Sequence, residues 1–232
     1  MPVHNIYYDQ EGMRDAVATG KHRDVIGGLW DEMGDHQLRF LVEQGMAPHH
    51  RLLDIGCGSL RLGVHAIEYL EPGHYFGTDI SGDLIDAGYR IELNDATRSK
   101  APRQHFAVSD DFDFGFLPGP VDVAIAQSVF THLPLNHLRR CLIKLSDHIR
   151  AGGRFFVTYF ECPVDHDIAL PIEQAAGDAL FSAGVVTYDC KDPYHYKAAD
   201  LEWAADPKAW SLTVIGDWGH PRAQRMACFH RR

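Results

Sequence analysis

An acidic residue and two closely spaced glycines stand where an apolar run gives way to a helix-like segment, in the stretch LLDIGCGSLRLG. These residues are Asp54, Gly56 and Gly58. Glycine is needed where the backbone turns sharply and where a ligand approaches so closely that a Cβ atom would collide with it. The pattern therefore predicts a site for a nucleotide-like ligand at the end of a buried strand; a tight turn without a ligand is the alternative.

A carboxylate ends the next apolar run, at Asp79 in YFGTDIS. At about twenty residues after the glycines, such a carboxylate is placed to accept hydrogen bonds from both ribose hydroxyls of a bound nucleoside. The alternative is that Asp79 only begins the following helix. A dinucleotide such as NAD is disfavoured, because Arg61 stands where the third glycine of G-x-G-x-x-G would pack.

The stretch D-x-G-x-G resembles motif I of the class I methyltransferases that use S-adenosylmethionine (SAM), in which the glycines face the amino-acid part of SAM. Leu60 departs from the fuller D-x-G-x-G-x-G pattern at its third glycine. The resemblance extends over residues 50–160, and the flanks GGLWDEMGDHQLRFL and HYFGTDISGDLIDAGYRIEL are similar to a bacterial subgroup of small methyltransferases. It implies SAM as cofactor and S-adenosylhomocysteine as product.

The resemblance also implies which residues contact the cofactor. The acidic loop SDDFDF resembles the loop that holds adenine between a carboxylate and an apolar side chain, and AQSVFTHLP corresponds to the floor beneath the methyl donor. The predicted cofactor-binding residues are Asp54, Gly56, Cys57, Gly58, Arg61, Asp79, Ile80, Asp110, Asp111, Phe112, Gln127 and Ser128. Arg61 would grip the methionyl carboxylate of SAM or an acidic acceptor, unless it forms a surface ion pair.

Methyl transfer from SAM is an in-line displacement that depends chiefly on alignment in a dry pocket. A hydroxyl acceptor must also lose its proton near neutral pH, and histidine suits that task best. His132, which follows the fourth predicted strand, is the leading candidate for the base. The alternative is that His132 caps the next helix or packs over the cofactor as a structural residue, and His195 and His220 are weaker candidates among the 15 histidines.

From Arg51 onward, short apolar runs alternate with helix-like stretches, which is typical of repeated βαβ units and a largely parallel sheet. Strands are predicted in RLLDIG, HYFGTDI, Gln104 to Val108, VDVAIAQS, RFFVTYF, Leu212 to Ile215 and Ala223 to Phe229. Helices are predicted over Ser59 to Leu70, from Ser81, over Leu135 to Ile149 with a turn at AGG after it, and near Ala198 to Ala205.

Together with the resemblance to class I methyltransferases, this alternation of strands and helices predicts an α/β fold. The fold is expected to be a Rossmann-like, doubly wound, mostly parallel seven-stranded sheet with an antiparallel last strand and helices on both faces. The length of 232 residues fits one domain. We expect an N-terminal helical cap over residues 1–50, a SAM-binding core over 51–160, an insertion or acceptor-binding cover over 161–197, and a C-terminal helix with strands over 198–232.

Composition narrows the classes of partner. A net charge of -10 argues against nucleic acid, whose binding depends on Lys and Arg neutralising phosphates. The end of the fourth strand also lacks the Asp/Asn-Pro-Pro-aromatic motif of nucleic-acid amino methyltransferases. It lacks the carboxylates of metal-dependent catechol-type enzymes as well, so no metal is expected. The five scattered cysteines, the absence of a secretory leader and the lack of a long apolar run favour a reduced, cytoplasmic protein without membrane contact.

The sequence thus predicts an enzyme that methylates an oxygen or nitrogen atom of a small molecule, such as a sugar or a biosynthetic intermediate. A SAM-binding sensor or partner subunit without catalysis is the alternative, because every defensible motif concerns the cofactor. The acceptor itself, carbon methylation and the oligomeric state are left open, since one scaffold serves many acceptors.

Overall fold

The structure, a computed structural model, describes residues 8–174 and 184–232. The chain divides into two compact units. The N-terminal unit comprises the described residues of Ile6–Ile125, and the C-terminal unit comprises those of Ala126–Arg232. The predicted single-domain organisation stays a prediction.

The N-terminal unit is built of four parallel strands with helices between them. Two helices, α1 (Gln10–Ala18) and α2 (Trp30–Glu43), precede the strands. The strands are β1 (Leu52–Ile55), β2 (Tyr75–Asp79), β3 (Phe106–Val108) and β4 (Val121–Ala126). The helices among them are α3 (Arg61–Tyr69), α4 (Gly82–Ala87), which continues as a π-helix over Gly88–Glu92, and α5 (Asp95–Lys100).

The strands lie in the order β3-β2-β1-β4, and each neighbouring pair is parallel. All four residues of β1 are buried, as expected for a strand covered on both faces. Because the strands are parallel, the carboxyl ends of β1, β2 and β3 lie at one edge of the sheet, where ligands bind in doubly wound folds. This edge carries the glycine turn, Asp79 and the acidic loop.

The C-terminal unit pairs its main strands in antiparallel fashion. Its helices are α6 (Leu135–Leu145) and α7 (Ala198–Ala204). Its strands are β5 (Ile149–Glu161), β6 (Ile172–Gln174), β7 (Val185–Thr187), β8 (His195–Tyr196), β9 (Trp210–Asp217) and β10 (Arg225–Arg231). The last strand, β10, lies between β5 and β9 and is antiparallel to both. The predicted α/β class with an antiparallel last strand is confirmed.

Several predicted boundaries were wrong. The third strand begins at Phe106 because Arg103–His105 form a 3-10 turn, and the fourth ends at Ala126, before Gln127 and Ser128. Helix α6 ends at Leu145 and not at Ile149, the turn after it lies at residues 146–148, and AGG belongs to β5, which begins at Ile149. The predicted cover, 161–197, contains the short strands β6, β7 and β8, and its residues 175–183 lie outside the described residues.

Helices long and apolar enough to cross a membrane do not occur within residues 8–174 and 184–232. The same ranges hold no group of three or more His, Cys, Asp or Glu side chains arranged to bind a metal ion.

Candidate functional site

The turn between β1 and α3 adopts left-handed backbone conformations at three positions. The φ angles are +75° at Gly56, +51° at Gly58 and +70° at Leu60. Glycine adopts this region at little cost, whereas it costs a residue with a Cβ roughly 1–2 kcal/mol. Leu60 therefore takes the conformation that the third glycine of the fuller motif would take. Its completely buried side chain supplies packing that opposes the backbone cost.

Asp79, at the end of β2, is hydrogen-bonded to the glycine turn. Its Oδ2 accepts from the backbone N–H of Gly58 at 2.8 Å, and its Oδ1 accepts from that of Ser81 at 2.8 Å. Burial raises the pKa of Asp79, and hydrogen bonds from Ser81, Gly58 and Ile80 oppose that rise. A carboxylate has about four acceptor positions, so with three of them engaged, capacity remains for one further donor. A ribose hydroxyl matches that remaining capacity, and the site fits a nucleoside.

The predicted adenine loop is joined to Asp79 by the backbone. Ser109 N–H donates to the Asp79 carbonyl at 2.9 Å, and the Ser109 hydroxyl contacts Oδ1 of Asp111 at 3.4 Å. Phe112 is buried and has a φ of +63°, an unfavourable value for an aromatic residue. Backbone strain of this kind concentrates at ligand sites. Asp110 is exposed.

Two other predicted cofactor residues lie in the core beneath the turn. The Asp54 carboxyl group is 4% exposed and accepts a hydrogen bond from the Tyr75 hydroxyl at 2.7 Å. Burial raises the pKa of Asp54 to about 7, although the Tyr75 hydrogen bond opposes this. Burial likewise raises the pKa of the Cys57 thiol. In this structure both side chains support the turn from inside, and their contact with a cofactor stays a prediction.

Residues 19–29, which we call the N-terminal strap, pack against the turn. The Ser59 hydroxyl donates to the His22 carbonyl at 2.8 Å. Arg61 Nη1 donates to the carbonyls of Gly28 at 2.9 Å and Ile26 at 3.4 Å. The guanidinium expected to grip a carboxylate, or to form a surface ion pair, thus binds the strap in this structure. A Cβ atom added to Gly58 would lie 2.9 Å from Cγ2 of Ile26.

In the C-terminal unit, Ser128 is fixed by its backbone and its side chain. Its N–H donates to Thr158 Oγ1 at 2.7 Å, and its hydroxyl donates to Gln224 Oε1 at 3.0 Å. Its φ is +59°, so Ser128 and Phe112 are both non-glycine residues with positive φ at predicted cofactor positions. The hydrogen bonds stabilise this unfavourable backbone.

Gln127 pairs with His220, one of the weaker candidates for the base. The Nε2 atoms of the two side chains are 3.3 Å apart, and His220 Nδ1 accepts from the Arg222 N–H at 3.1 Å. A neutral His220 ring then carries its proton on Nε2. It can donate a hydrogen bond to Gln127 when the amide oxygen of Gln127, and not its nitrogen, faces Nε2. The other amide atom of Gln127 is buried and has no partner among the described residues. His220 therefore orients Gln127.

His132 is paired with a residue that sequence analysis did not identify. Its Nδ1 lies 2.6 Å from Oδ1 of Asp192. The side chains are 25% and 14% exposed, so the pair is shielded yet reachable from solvent. Asp192 belongs to the polar run YDCKDPYHYK, and its separation of 60 residues from His132 left no spacing signal in the sequence.

His195 is completely buried and held at both ring nitrogens. Nδ1 lies 3.0 Å from the Thr187 hydroxyl, and Nε2 lies 2.9 Å from the Ile168 carbonyl. Both ring nitrogens are occupied by protein partners, so neither can take a proton from a methyl acceptor. His195 is therefore a structural residue, and the suggestion that it acts as a base was wrong.

Comparison with known proteins gives a family match and many structural likenesses. Residues 53–155 match the family model described as a methyltransferase domain. The chain is similar to magnesium protoporphyrin IX methyltransferase (ChlM) from Synechocystis PCC 6803, solved with bound SAM, at 17% identity over 87% of this chain and 79% of that one, with a TM-score of 0.59.

It is also similar to the glycopeptide N-methyltransferase MtfA, solved with S-adenosylhomocysteine, at 11% identity over 87% of this chain and 90% of that one, with a TM-score of 0.60. A third likeness is to the sugar N-methyltransferase KedS8 from Streptoalloteichus sp ATCC 53650, at 17% identity over 84% and 85% of the two chains, with a TM-score of 0.56. These likenesses show a shared Rossmann-like fold.

Proposed function

We propose that the chain is a class I SAM-dependent methyltransferase and that it transfers the methyl group of SAM to an oxygen or nitrogen atom of a small-molecule acceptor. The observation that carries the proposal is the Asp79 carboxylate, which Gly58 and Ser81 hold at the carboxyl edge of the sheet with acceptor capacity remaining. SAM, when bound, supplies a methyl group on a positively charged sulfur.

The N-terminal unit would bind and orient the cofactor. Asp79 would accept a hydrogen bond from the ribose, Asp111 and Phe112 would hold the adenine, and the backbone of Gly56 and Gly58 would admit the methionyl part. The strained backbone at Phe112 supports this assignment, because such strain persists where a ligand site requires it.

His132 would act as the general base. It follows β4, the strand that leads into Gln127 and Ser128, and Asp192 binds its Nδ1. A base of this kind accelerates proton removal by roughly 10²- to 10⁴-fold. Small acceptors are supported by the names of the similar enzymes, which act on a protoporphyrin and a sugar.

Isothermal titration calorimetry with SAM, S-adenosylhomocysteine and NAD tests the cofactor. We expect both sulfur compounds to bind with micromolar affinity and NAD not to bind; binding of NAD alone would overturn the proposal. Incubation of the protein with methyl-¹³C SAM and a small-molecule cell extract then tests transfer. A labelled small molecule is expected, whereas label only in protein or nucleic acid would contradict the acceptor class.

A further inference from the structure

We propose that the acceptor atom is a hydroxyl oxygen and that Asp192 is the positioning residue that prepares His132 to remove its proton. This inference rests on the proposed function and narrows it from oxygen or nitrogen to oxygen. It begins from the 2.6 Å separation between His132 Nδ1 and Asp192 Oδ1.

The pair fixes the tautomer of the histidine. An ionised carboxylate only accepts hydrogen bonds, so the neutral ring must carry its proton on Nδ1 to satisfy Asp192. The lone pair is then on Nε2, the nitrogen that receives a proton in a base of this type. When Nε2 takes up a proton, the imidazolium charge forms beside the carboxylate. Asp192 is only 14% exposed, so water screens that attraction weakly.

The surrounding loop does not depend on this pair for its position. The Tyr194 N–H donates to the Thr131 carbonyl at 2.7 Å, and the Tyr196 hydroxyl donates to the Leu133 carbonyl at 2.7 Å. Both tyrosines are buried. These bonds hold the residues on either side of His132 to the loop that carries Asp192. The Asp192 carboxylate is therefore not needed to anchor this loop.

The chemistry of the step favours a hydroxyl. The acceptor oxygen forms a bond to the methyl carbon, the carbon–sulfur bond breaks, and its electron pair stays on sulfur, which becomes neutral. The hydroxyl proton moves to Nε2 of His132. The single positive charge thus passes from sulfur to the imidazolium, where Asp192 stabilises it.

An amine acceptor makes a weaker demand on such a pair. A neutral amine attacks with its own lone pair and sheds its proton after the transfer, whereas a hydroxyl is a poor nucleophile until its proton leaves. A histidine base that is oriented by a carboxylate, and whose positive charge that carboxylate stabilises, therefore suits a hydroxyl acceptor better than an amine.

The experiment combines the acceptor atom with variants of the pair. Methyl-¹³C SAM is supplied with the small-molecule extract, and the product's methyl ¹³C shift identifies the bonded atom. With the purified acceptor, His132→Ala should lower turnover by roughly 10²-fold or more. Asp192→Asn should lower it at least about tenfold, because the neutral amide neither fixes the tautomer of His132 nor stabilises the imidazolium charge. Asp192→Glu should recover part of the rate.

Asp189→Asn is the matched control, since Asp189 is exposed in the same loop, and it should leave turnover unchanged. A measurement that needs no acceptor accompanies these assays: ¹⁵N NMR of the wild type with S-adenosylhomocysteine should show the neutral His132 ring protonated on Nδ1. An N-methyl product, a neutral ring protonated on Nε2, or unchanged turnover in Asp192→Asn overturns the inference while the methyltransferase proposal stands. Failure to bind SAM or to label any small molecule removes both.

Discussion

The Asp79 carboxylate accepts a hydrogen bond from the Gly58 backbone N–H at 2.8 Å, which ties the end of β2 to the turn that follows β1. The two residues are 21 positions apart in the chain. Parallel pairing of β1 with β2 brings these two predicted cofactor elements together at one edge of the sheet. The glycine turn and the Asp79 carboxylate therefore form a single hydrogen-bonded unit.

Asp79→Asn should weaken SAM binding by roughly 10- to 100-fold, because a hydrogen bond to a charged group contributes about 1.5–3 kcal/mol and about 1.4 kcal/mol is tenfold in affinity. Calorimetric titration measures the change. Asp83→Asn, in the first turn of α4 and paired with Arg14 outside the cofactor turn, is the control and should bind SAM normally. An unaltered Kd in Asp79→Asn would remove Asp79 from the cofactor site.

Gly58→Ala should destabilise the protein by about 1–2 kcal/mol, since alanine is disfavoured at a φ of +51° and its Cβ would meet Ile26. Urea unfolding without SAM gives the free energy. Adding Ile26→Ala should relieve the contact but not the backbone cost, so the double variant should lose less than the sum of the two single changes. Strict additivity would show that the strap does not press on the turn.

Arg61→Met should release the strap, because methionine keeps the apolar stem but cannot donate to the Gly28 and Ile26 carbonyls. Loss of these bonds should speed trypsin cleavage after Lys21 or Arg23 by about tenfold, as local opening becomes easier. Arg39→Met, which loses an exposed ion pair to Asp35 and an exposed hydrogen bond to His36, is the control. Equal cleavage rates in the two variants would contradict the role assigned to Arg61.

Asp54→Asn should remove a pH dependence of stability. Burial raises the folded-state pKa of Asp54 from 3.8 to about 7, so the native state holds a proton that the unfolded chain loses between these values. The stability this provides is present below about pH 4 and is lost as pH rises to about 7.

Asparagine retains an oxygen for the Tyr75 hydroxyl and cannot ionise. The free energy of unfolding of the variant should therefore increase relative to that of the wild type as pH rises, by about 2–4 kcal/mol between pH 4 and pH 8. Urea unfolding across this range measures the difference. A difference that is constant with pH would show that Asp54 titrates normally.

Local patterns in the sequence were sufficient to predict the strands of the N-terminal unit. The alternation of apolar runs with helix-like stretches identified β1 and β2, and the helix after β2 was correctly predicted to begin at Ser81, whose hydroxyl caps it by accepting from the Leu84 N–H. Helix α1 was not predicted, because its nine residues, QEGMRDAVA, bury a single side chain, Met13. A surface helix with so small an apolar face leaves little periodicity to detect.

The turn between β1 and α3 was determined by the sequence itself, because a tight turn after a buried strand is encoded locally by the conformational freedom of Gly56 and Gly58. Only the tertiary structure decided which polar groups pair when they lie far apart in the sequence. Asp192 reaches His132 across 60 residues, and Arg61 binds strap carbonyls where an anionic partner was expected. Such contacts depend on where loops pack, and neither periodicity nor spacing along the chain records that position.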